Sequence, residues 1–590
     1  DEFNQCVSRQ TPAGKTTQTH DVLGLLKSLH THAGDIFIGR DTLGRETHRS
    51  NLSLTYPPSP AGGESEARGA KPVGGEGAST SSIRPKFPEN NLPRHFHLHQ
   101  RYDAISRLTT QEIGTSTDRR YHWQEGRLLG IDDKRFGNVR YGLDARDQIV
   151  KTVYRNNQGL SKEESFDYNA LGDIDYQESI ANISMGADPR IAHLRSPLQT
   201  AARHYSRGRV AKCGPLTYRY DWAGRLVEKT EEKNGFRPQT WRFFWDGFDQ
   251  LVKAITPTGD VWHYTYDAFG RRTGKRCVHQ PLQHQRTGIQ REAYLWDGAT
   301  IAVQWKVYAD GTSESAESVE TLQWHYHQGS FTPLAVGLQR KGEAEQLLHI
   351  VTDHLGTPKE AISNDGEIVW SAQLDTWGNV HQRSSKPKPL PDWLRGVASN
   401  EPYIDIDLRF PNQWEDAETG LFYNCQRYYD PGIGQYISSD PIGIHGGLKP
   451  HAYVHNPVTW MDPWGLATCP HFESRKGAFR AAKRDAGINA AQHPDMVYNQ
   501  RTGKTGQYNQ VRLTDKHGNN ILNAKGEPIW TREYQFTRQD GSKVIIQEHS
   551  AGHIYGPSGT PGNQGPHFNV RPPENTRTGS VPGTFEHYNF

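Results

Sequence analysis

Cross-linking residues are scarce. The 590-residue chain has five cysteines, Cys6, Cys213, Cys277, Cys425 and Cys469. An odd number at wide spacings, with no CxxC pair, excludes a disulfide framework and a cysteine zinc site and fits free thiols in a reducing cytosol. Long apolar runs are missing too, and nothing approaches the roughly 18 residues of a membrane helix. No leader of basic and then apolar residues opens the chain, and its first residue is Asp1 rather than Met. The sequence therefore reads as part of something longer, through a processed N-terminus or a shortened chain. Hydrophobic residues make up only 34%, with a mean hydropathy of −0.81. Net charge is nearly balanced at +2, yet the 15 Lys/Arg and 10 Asp/Glu after Leu466 leave the rest slightly acidic. A basic tail on an acidic body suits a nucleic-acid ligand and equally an ordinary small domain.

What is abundant is aromatic and glycine, with 15 Trp, 26 Tyr and 58 Gly. That composition suits short strands and tight turns better than helical bundles, and the length exceeds a single core. A repeat follows from it. An aromatic-Asp pair, a short glycine turn and a strand start recur as Tyr220-Asp221-Trp222-Ala223-Gly224-Arg225, at Trp245-Asp246, at Tyr266-Asp267-Ala268-Phe269-Gly270-Arg271 and at Trp296-Asp297-Gly298. Weaker copies stand at Arg40 to Arg45, at Tyr102-Asp103 and at Asp375-Thr376-Trp377-Gly378. Asp accepts backbone N–H groups at a turn start and glycine supplies a positive φ, so each unit predicts a hairpin. One hairpin cannot bury its aromatic face, whereas a stack of hairpins can. Residues 56–91, rich in Pro, Gly and Ser, read as a disordered surface insertion.

The pattern ends in Arg427 to Leu466, RYYDPGIGQYISSDPIGIHGGLKPHAYVHNPVTWMDPWGL, where the tetrapeptide Asp440-Pro441-Ile442-Gly443 is nearly repeated as Asp462-Pro463-Trp464-Gly465. Asp-Pro with a glycine two positions on is common turn chemistry, so turn formers are the plain reading of these aspartates. Two carboxylates about 3 Å apart would instead share a proton, as peptide hydrolysis by aspartates requires. The 22 positions between Asp440 and Asp462 allow a hairpin return that brings them together.

This stretch resembles the core end of Rhs/YD-repeat polymorphic toxins, effectors of the type VI secretion kind. The resemblance covers residues 35 to 466 through the repeats. It implies a mainly β fold, a hollow shell of spiralling antiparallel hairpins enclosing a small α+β toxin, with residues 1–34 as a plug or linker. It implies self-cleavage between Leu466 and Ala467 by an aspartyl site of Asp440 and Asp462. Asp430 is the rival for one place, and Arg427 orients or neutralises a carboxylate.

After Leu466 a helical pattern runs over 473–490, followed by strand-like runs at 528–536 and 543–547. Four of the tail's seven histidines fall in the last 42 residues. Glu548, His549, His553 and His567 match in order the HNH/endonuclease VII toxins, a ββα-metal class, and the resemblance assigns the roles. His549 is the general base. Glu548 and His567 are ligands of a divalent ion (Mg, Mn, Zn or Ni), with His553 a third ligand or a phosphate contact. Arg571 grips a phosphate, Asn569 orients a histidine and His587 is a further member. On a regular strand Glu548 and His549 face opposite ways, so both serve one site only if the strand ends or twists there.

The function implied is a self-cleaving interbacterial toxin. It is made in the producer's cytoplasm, is secreted, and degrades DNA in the target cell's cytoplasm. Its implied partners are target DNA, a cognate immunity protein, a spike, adaptor or chaperone met through a missing N-terminal region, and a second copy of the chain as a homodimer. The alternatives are a metal-independent RNase carried by the same shell, with Glu548 and His549 as its acid–base pair, and a non-enzymatic adhesion or carbohydrate-binding repeat protein.

Overall fold

The computed structural model describes the chain except residues 1–6, 12–13, 22–24, 42–44, 53–94, 104–106, 115–116, 125, 160, 183–200, 280–288, 310–316, 328–329, 388–402, 444–448, 467–477, 499–510, 513–529, 550–552, 555–562 and 576–580, and scattered residues of 480–491 and 539–590. The expected insertion at 56–91 lies outside the described residues.

Strands from Ser8–Thr11 to Val380–Ser385 form one 29-stranded sheet. Each strand pairs antiparallel with the next, as Leu216–Tyr220 does with Leu226–Glu231 and Gln239–Trp245 with Leu251–Ile255. The turns obey the chemistry read from the repeat. Asp221 N–H donates to the Arg225 carbonyl at 2.9 Å, and its Oδ1 accepts the Arg225 N–H at 2.9 Å. Gly224 takes the positive φ of 87° and donates to the Asp221 carbonyl. The Arg225 guanidinium then closes on Asp221 Oδ2 at 2.8 Å. The same aspartate–arginine pair recurs at Asp41/Arg45, Asp103/Arg107 and Asp267/Arg271.

Where a plug or linker was expected, Ser8–Thr11, Gly14–His20 and Leu26–Thr31 pair as strands of this sheet. The sheet curls until its early strands face its late ones. Leu26, Leu29 and Ile36 pack on Leu334, Ala335 and Leu347, and Phe96, Leu98 and Ile113 on Val351 and Ile362. Residues 404–437 fill the middle, contributing Ile404, Ile406, Leu408, Trp414 and Tyr428 to the largest core. Every second turn of an antiparallel meander lies on the same rim, and the core end sits on the rim of the aspartate turns. Leu226 N–H donates to the Ile437 carbonyl at 2.8 Å, Asn456 Nδ2 to the Asp147 carbonyl at 2.9 Å and Asn379 Nδ2 to the Pro431 carbonyl at 3.1 Å. Buried ion pairs lock the segment inside: Arg272 to Asp416 at 2.5 Å, Lys275 to Asp416 at 2.9 Å and Lys275 to Glu418 at 3.0 Å. Within it, Trp414–Asp416, Leu421–Asn424, Arg427–Asp430 and Gln435–Tyr436 form a four-stranded sheet.

The tail is a separate sheet in which Met496–Tyr498, Trp530–Thr537, Lys543–His549, His567–Arg571 and Tyr588–Asn589 pair in that order, with Val511–Arg512 beside Trp530–Thr537. Ala478, Ala482, Phe536, Val544, Ile546, Phe568 and Val570 form its core. Helical residues occur at 478–479 and 482–483, inside the predicted helix. Among the described residues after Arg571, the only regular element is the strand Tyr588–Asn589, so the closing helix of a ββα unit does not appear there.

Candidate functional site

The hairpin joining Leu421–Asn424 to Arg427–Asp430 reverses the chain at Cys425, in the left-handed region at φ 51°. It places Asn424, Gln426 and Arg427 against the last residues before the expected cut. Four successive carbonyls are held there. Asn424 Nδ2 donates to the Asp462 carbonyl at 2.7 Å, Asn412 Nδ2 to that of Pro463 at 2.8 Å and the Gln426 N–H to that of Trp464 at 3.3 Å. Arg427 Nε donates to the Gly465 carbonyl. Gly465 has a φ of 65°, and a Cβ on it would lie 2.3 Å from the Asn424 carbonyl oxygen, so only glycine fits.

Asp440 and Asp462 meet on one guanidinium nitrogen. Arg427 Nη2 lies 3.0 Å from Asp440 Oδ2 and 3.4 Å from Asp462 Oδ2, and all three side chains are buried. Asp440 Oδ1 accepts the Ile442 N–H at 3.0 Å, whereas Asp462 Oδ1 accepts the Leu466 N–H at 3.3 Å. Burial pushes the Asp440 carboxyl up to about 6, against the favourable Arg427 charge and Ile442 N–H, and the Asp462 charge pushes it the same way. Two carboxylates with one cation between them are the arrangement in which one member keeps a proton.

Asp430 stands apart. On the strand Arg427–Asp430 alternate residues face opposite ways, and Asp430 pairs with Lys229 at 2.7 Å while Tyr218 Oη donates to it at 3.4 Å. It anchors the core end to the wall through an ion pair and does not touch the Asp440–Asp462 pair. Ala467 lies outside the described residues.

In the tail, Lys543–His549 pairs with His567–Arg571 without interruption, His549 opposite His567 and Glu548 opposite Phe568. For Glu548 and His549 to serve one site the strand had to end or twist at them, but its ladder continues through His549. The two residues therefore face opposite ways. Glu548 lies on the core face and accepts the Tyr534 hydroxyl at 2.7 Å. His549 and His567 meet on the other face, Nδ1 to Nε2 at 3.0 Å, with 8% and 0% exposure. Asn569 and Arg571 alternate with Phe568 and Val570, so they share that face, and both are buried. The structure thus brings His549, His567, Asn569 and Arg571 to one face and leaves Glu548 on the other. His553 is in the short strand His553–Ile554, its side chain not among those described, and His587 lies outside the described residues. Among the described residues no group of three or more His, Cys, Asp or Glu is arranged to hold a metal ion.

Sequence reasoning missed three members. Glu533 lies opposite Gln547, one row from the histidines and on their face; it accepts from Gln547 Nε2, and burial raises its carboxyl. Its alternation within a strand-like run was the available signal. Tyr436 and Asn424, beside the aspartates, carried no local signal.

Comparisons agree with both halves. Residues 240–277 match the RHS Repeat family, 348–384 the RHS protein family, and 520–590 the HNH/Endo VII superfamily nuclease toxins. Three segments of the chain are thus similar to RHS repeats, to RHS proteins and, at the C-terminal end, to HNH/Endo VII nuclease toxins. Over 382 residues the chain is 33% identical to the "Probable deoxyribonuclease RhsA" of Dickeya dadantii, covering 64% of this chain and 23% of that protein. Over 387 residues it is 29% identical to the "Double-stranded DNA deaminase toxin A" of Burkholderia cenocepacia, covering 63% of this chain and 25% of that one. The chain thus spans about a quarter of the length of the curated relatives it matches. A structure of the Photorhabdus luminescens Tc holotoxin pore shares the fold with a TM-score of 0.51 at 16% identity, over 78% of this chain and 22% of that chain.

Proposed function

We propose that this chain is the closing part of a toxin-carrying β-shell that cuts its own cargo free after Leu466, and that the freed residues hydrolyse DNA in a target bacterium. The observation that carries the cut is the Asp440–Asp462 pair on Arg427, next to four clamped carbonyls. The ionised member of the pair takes a proton from water, and the water oxygen attacks the Leu466 carbonyl carbon. The protonated member gives its proton to the Ala467 nitrogen as the C–N bond breaks. The clamp supplies orientation, which is worth several powers of ten in rate for a well-aligned pair.

The nuclease half rests on the family matched by residues 520–590 and on relatives named as deoxyribonucleases. Two imidazole nitrogens 3.0 Å apart fit a divalent ion, since neutral imidazole is a common ligand. His549 and His567 would hold it, and the ion would supply Lewis acidity to the scissile phosphate. Arg571 on the same face grips a phosphate, and Asn569 orients His567. Glu548 stays a ligand only through a change of strand geometry. In the reading with His549 as general base, the 3.0 Å contact orients its ring and sets its tautomer. A cognate immunity protein and a spike, adaptor or chaperone are the partners this reading requires.

One observation favours the rival RNase. Glu548 and His549, the pair expected for it, face opposite ways, but the two buried imidazoles His549 and His567 in hydrogen-bond contact form an acid–base pair that works without metal. Supercoiled plasmid and total RNA incubated with the self-cut chain, with and without chelator, separate the readings. We expect plasmid nicking that chelator abolishes and that His549→Ala lowers by about 10²–10⁴-fold. RNA cleavage indifferent to chelator favours the RNase. An uncut chain harmless to bacteria would leave an adhesion repeat.

A further inference from the structure

We propose that Tyr436 is a positioning residue for self-cleavage: its hydroxyl, donating to Asp462 Oδ2, keeps Asp462 the ionised member of the pair and leaves Asp440 to carry the proton. The inference rests on the aspartyl reading above. Tyr436 is fully buried, and its hydroxyl lies 2.8 Å from Asp462 Oδ2. Asn424 Nδ2 donates to that hydroxyl at 2.7 Å, so the phenolic proton is left to point at the carboxylate. The two aspartates are treated unequally in consequence. Asp462 is bonded by the Tyr436 hydroxyl, the Leu466 N–H and Arg427, whereas Asp440 is bonded by the Ile442 N–H and Arg427. An extra donor favours the anion, so the proton resides on the other partner.

Tyr436 also braces the cation. The Arg427 guanidinium carbon lies 3.7 Å from the centroid of its ring. Burial and the Asp462 charge both raise the phenol far above its ordinary range, so it remains a donor wherever the pair works. Asn424 completes the relay, because the same Nδ2 holds the Asp462 carbonyl at 2.7 Å and so ties the hydroxyl to the clamped segment.

The test follows self-cleavage of the full chain. Chain made by cell-free synthesis is moved into buffers from pH 5 to pH 8, and the cut fraction is read against time on denaturing gels. Tyr436→Phe keeps the ring under Arg427 and removes only the donor. The acid limb of the pH profile should move up by about one unit, since losing a bond to the anion raises its pKa, and the rate at the low-pH end should fall by up to about tenfold. Asn424→Ser, which removes the donor behind the hydroxyl, should move the same limb the same way by less. Tyr429→Phe removes a neighbouring buried hydroxyl that bonds the Trp377 carbonyl at 2.9 Å and should leave the limb in place. A wild-type chain that does not cut defeats the aspartyl reading itself. A wild type that cuts, with the limb unmoved in both Tyr436→Phe and Asn424→Ser, overturns the positioning role, even if both cut more slowly at every pH.

Discussion

The wall and the core end both build turns on aspartate but give the carboxylates different charge partners. At Asp221 the aspartate accepts the N–H four residues on, the glycine donates back, and the arginine at the fourth position neutralises the carboxylate. At Asp462 the aspartate likewise accepts the Leu466 N–H and Gly465 donates back at 3.4 Å, but leucine stands where the Asp221 turn has arginine. Asp440 too lacks that arginine. The two depend on Arg427, borrowed from a neighbouring strand. Asp221, Asp41, Asp103 and Asp267 each have an arginine of their own, whereas Asp440 and Asp462 divide one cation between them.

The comparison is broken most sharply at Gly465. Gly465→Ala should push the clamped segment away from the pair and slow the cut by about 10²-fold, as a displacement near 1 Å does, measured as the rate at which the tail appears. A rate equal to wild type would show that the clamp does not set the geometry. The next effect is that of pH. Asp440 sits at about 6, and cutting needs its proton. The rate should therefore fall as pH rises past 6, by about tenfold per unit well above it, and a rate that climbs from pH 6 to pH 8 would reverse the assignment. The smallest effect belongs to the wall. Asp221→Ala should cost about 0.5–2 kcal/mol of stability through the lost turn bonds, read as a lower urea midpoint, and should leave the cutting rate unchanged.

The turns were legible because their chemistry is local: Asp, Gly and Arg stand within five residues, and the bonds they make are with each other. The pairing of Asp440 with Asp462 was legible only through the long motif of the core end. Tyr436 and Asn424 were not, since their partners are set by how the core end folds back. The filling of the sheet's interior had no local signal either: Arg272, Lys275 and Glu292 are charged residues of strands, yet all three are buried, with Asp416 and Glu418 from the core end brought against Arg272 and Lys275. In the tail the order Glu-His-His-His was readable, but the strand ladder through His549 decides which side chains share a face, and no residue type announces where a ladder stops.

The most direct test is the intact mass of the purified chain and of Asp440→Asn. Our account predicts two polypeptides from the former, broken between Leu466 and Ala467, and a single one of 66.7 kDa from the latter. An unbroken wild-type chain, or an Asp440→Asn chain broken at the same bond, would contradict it.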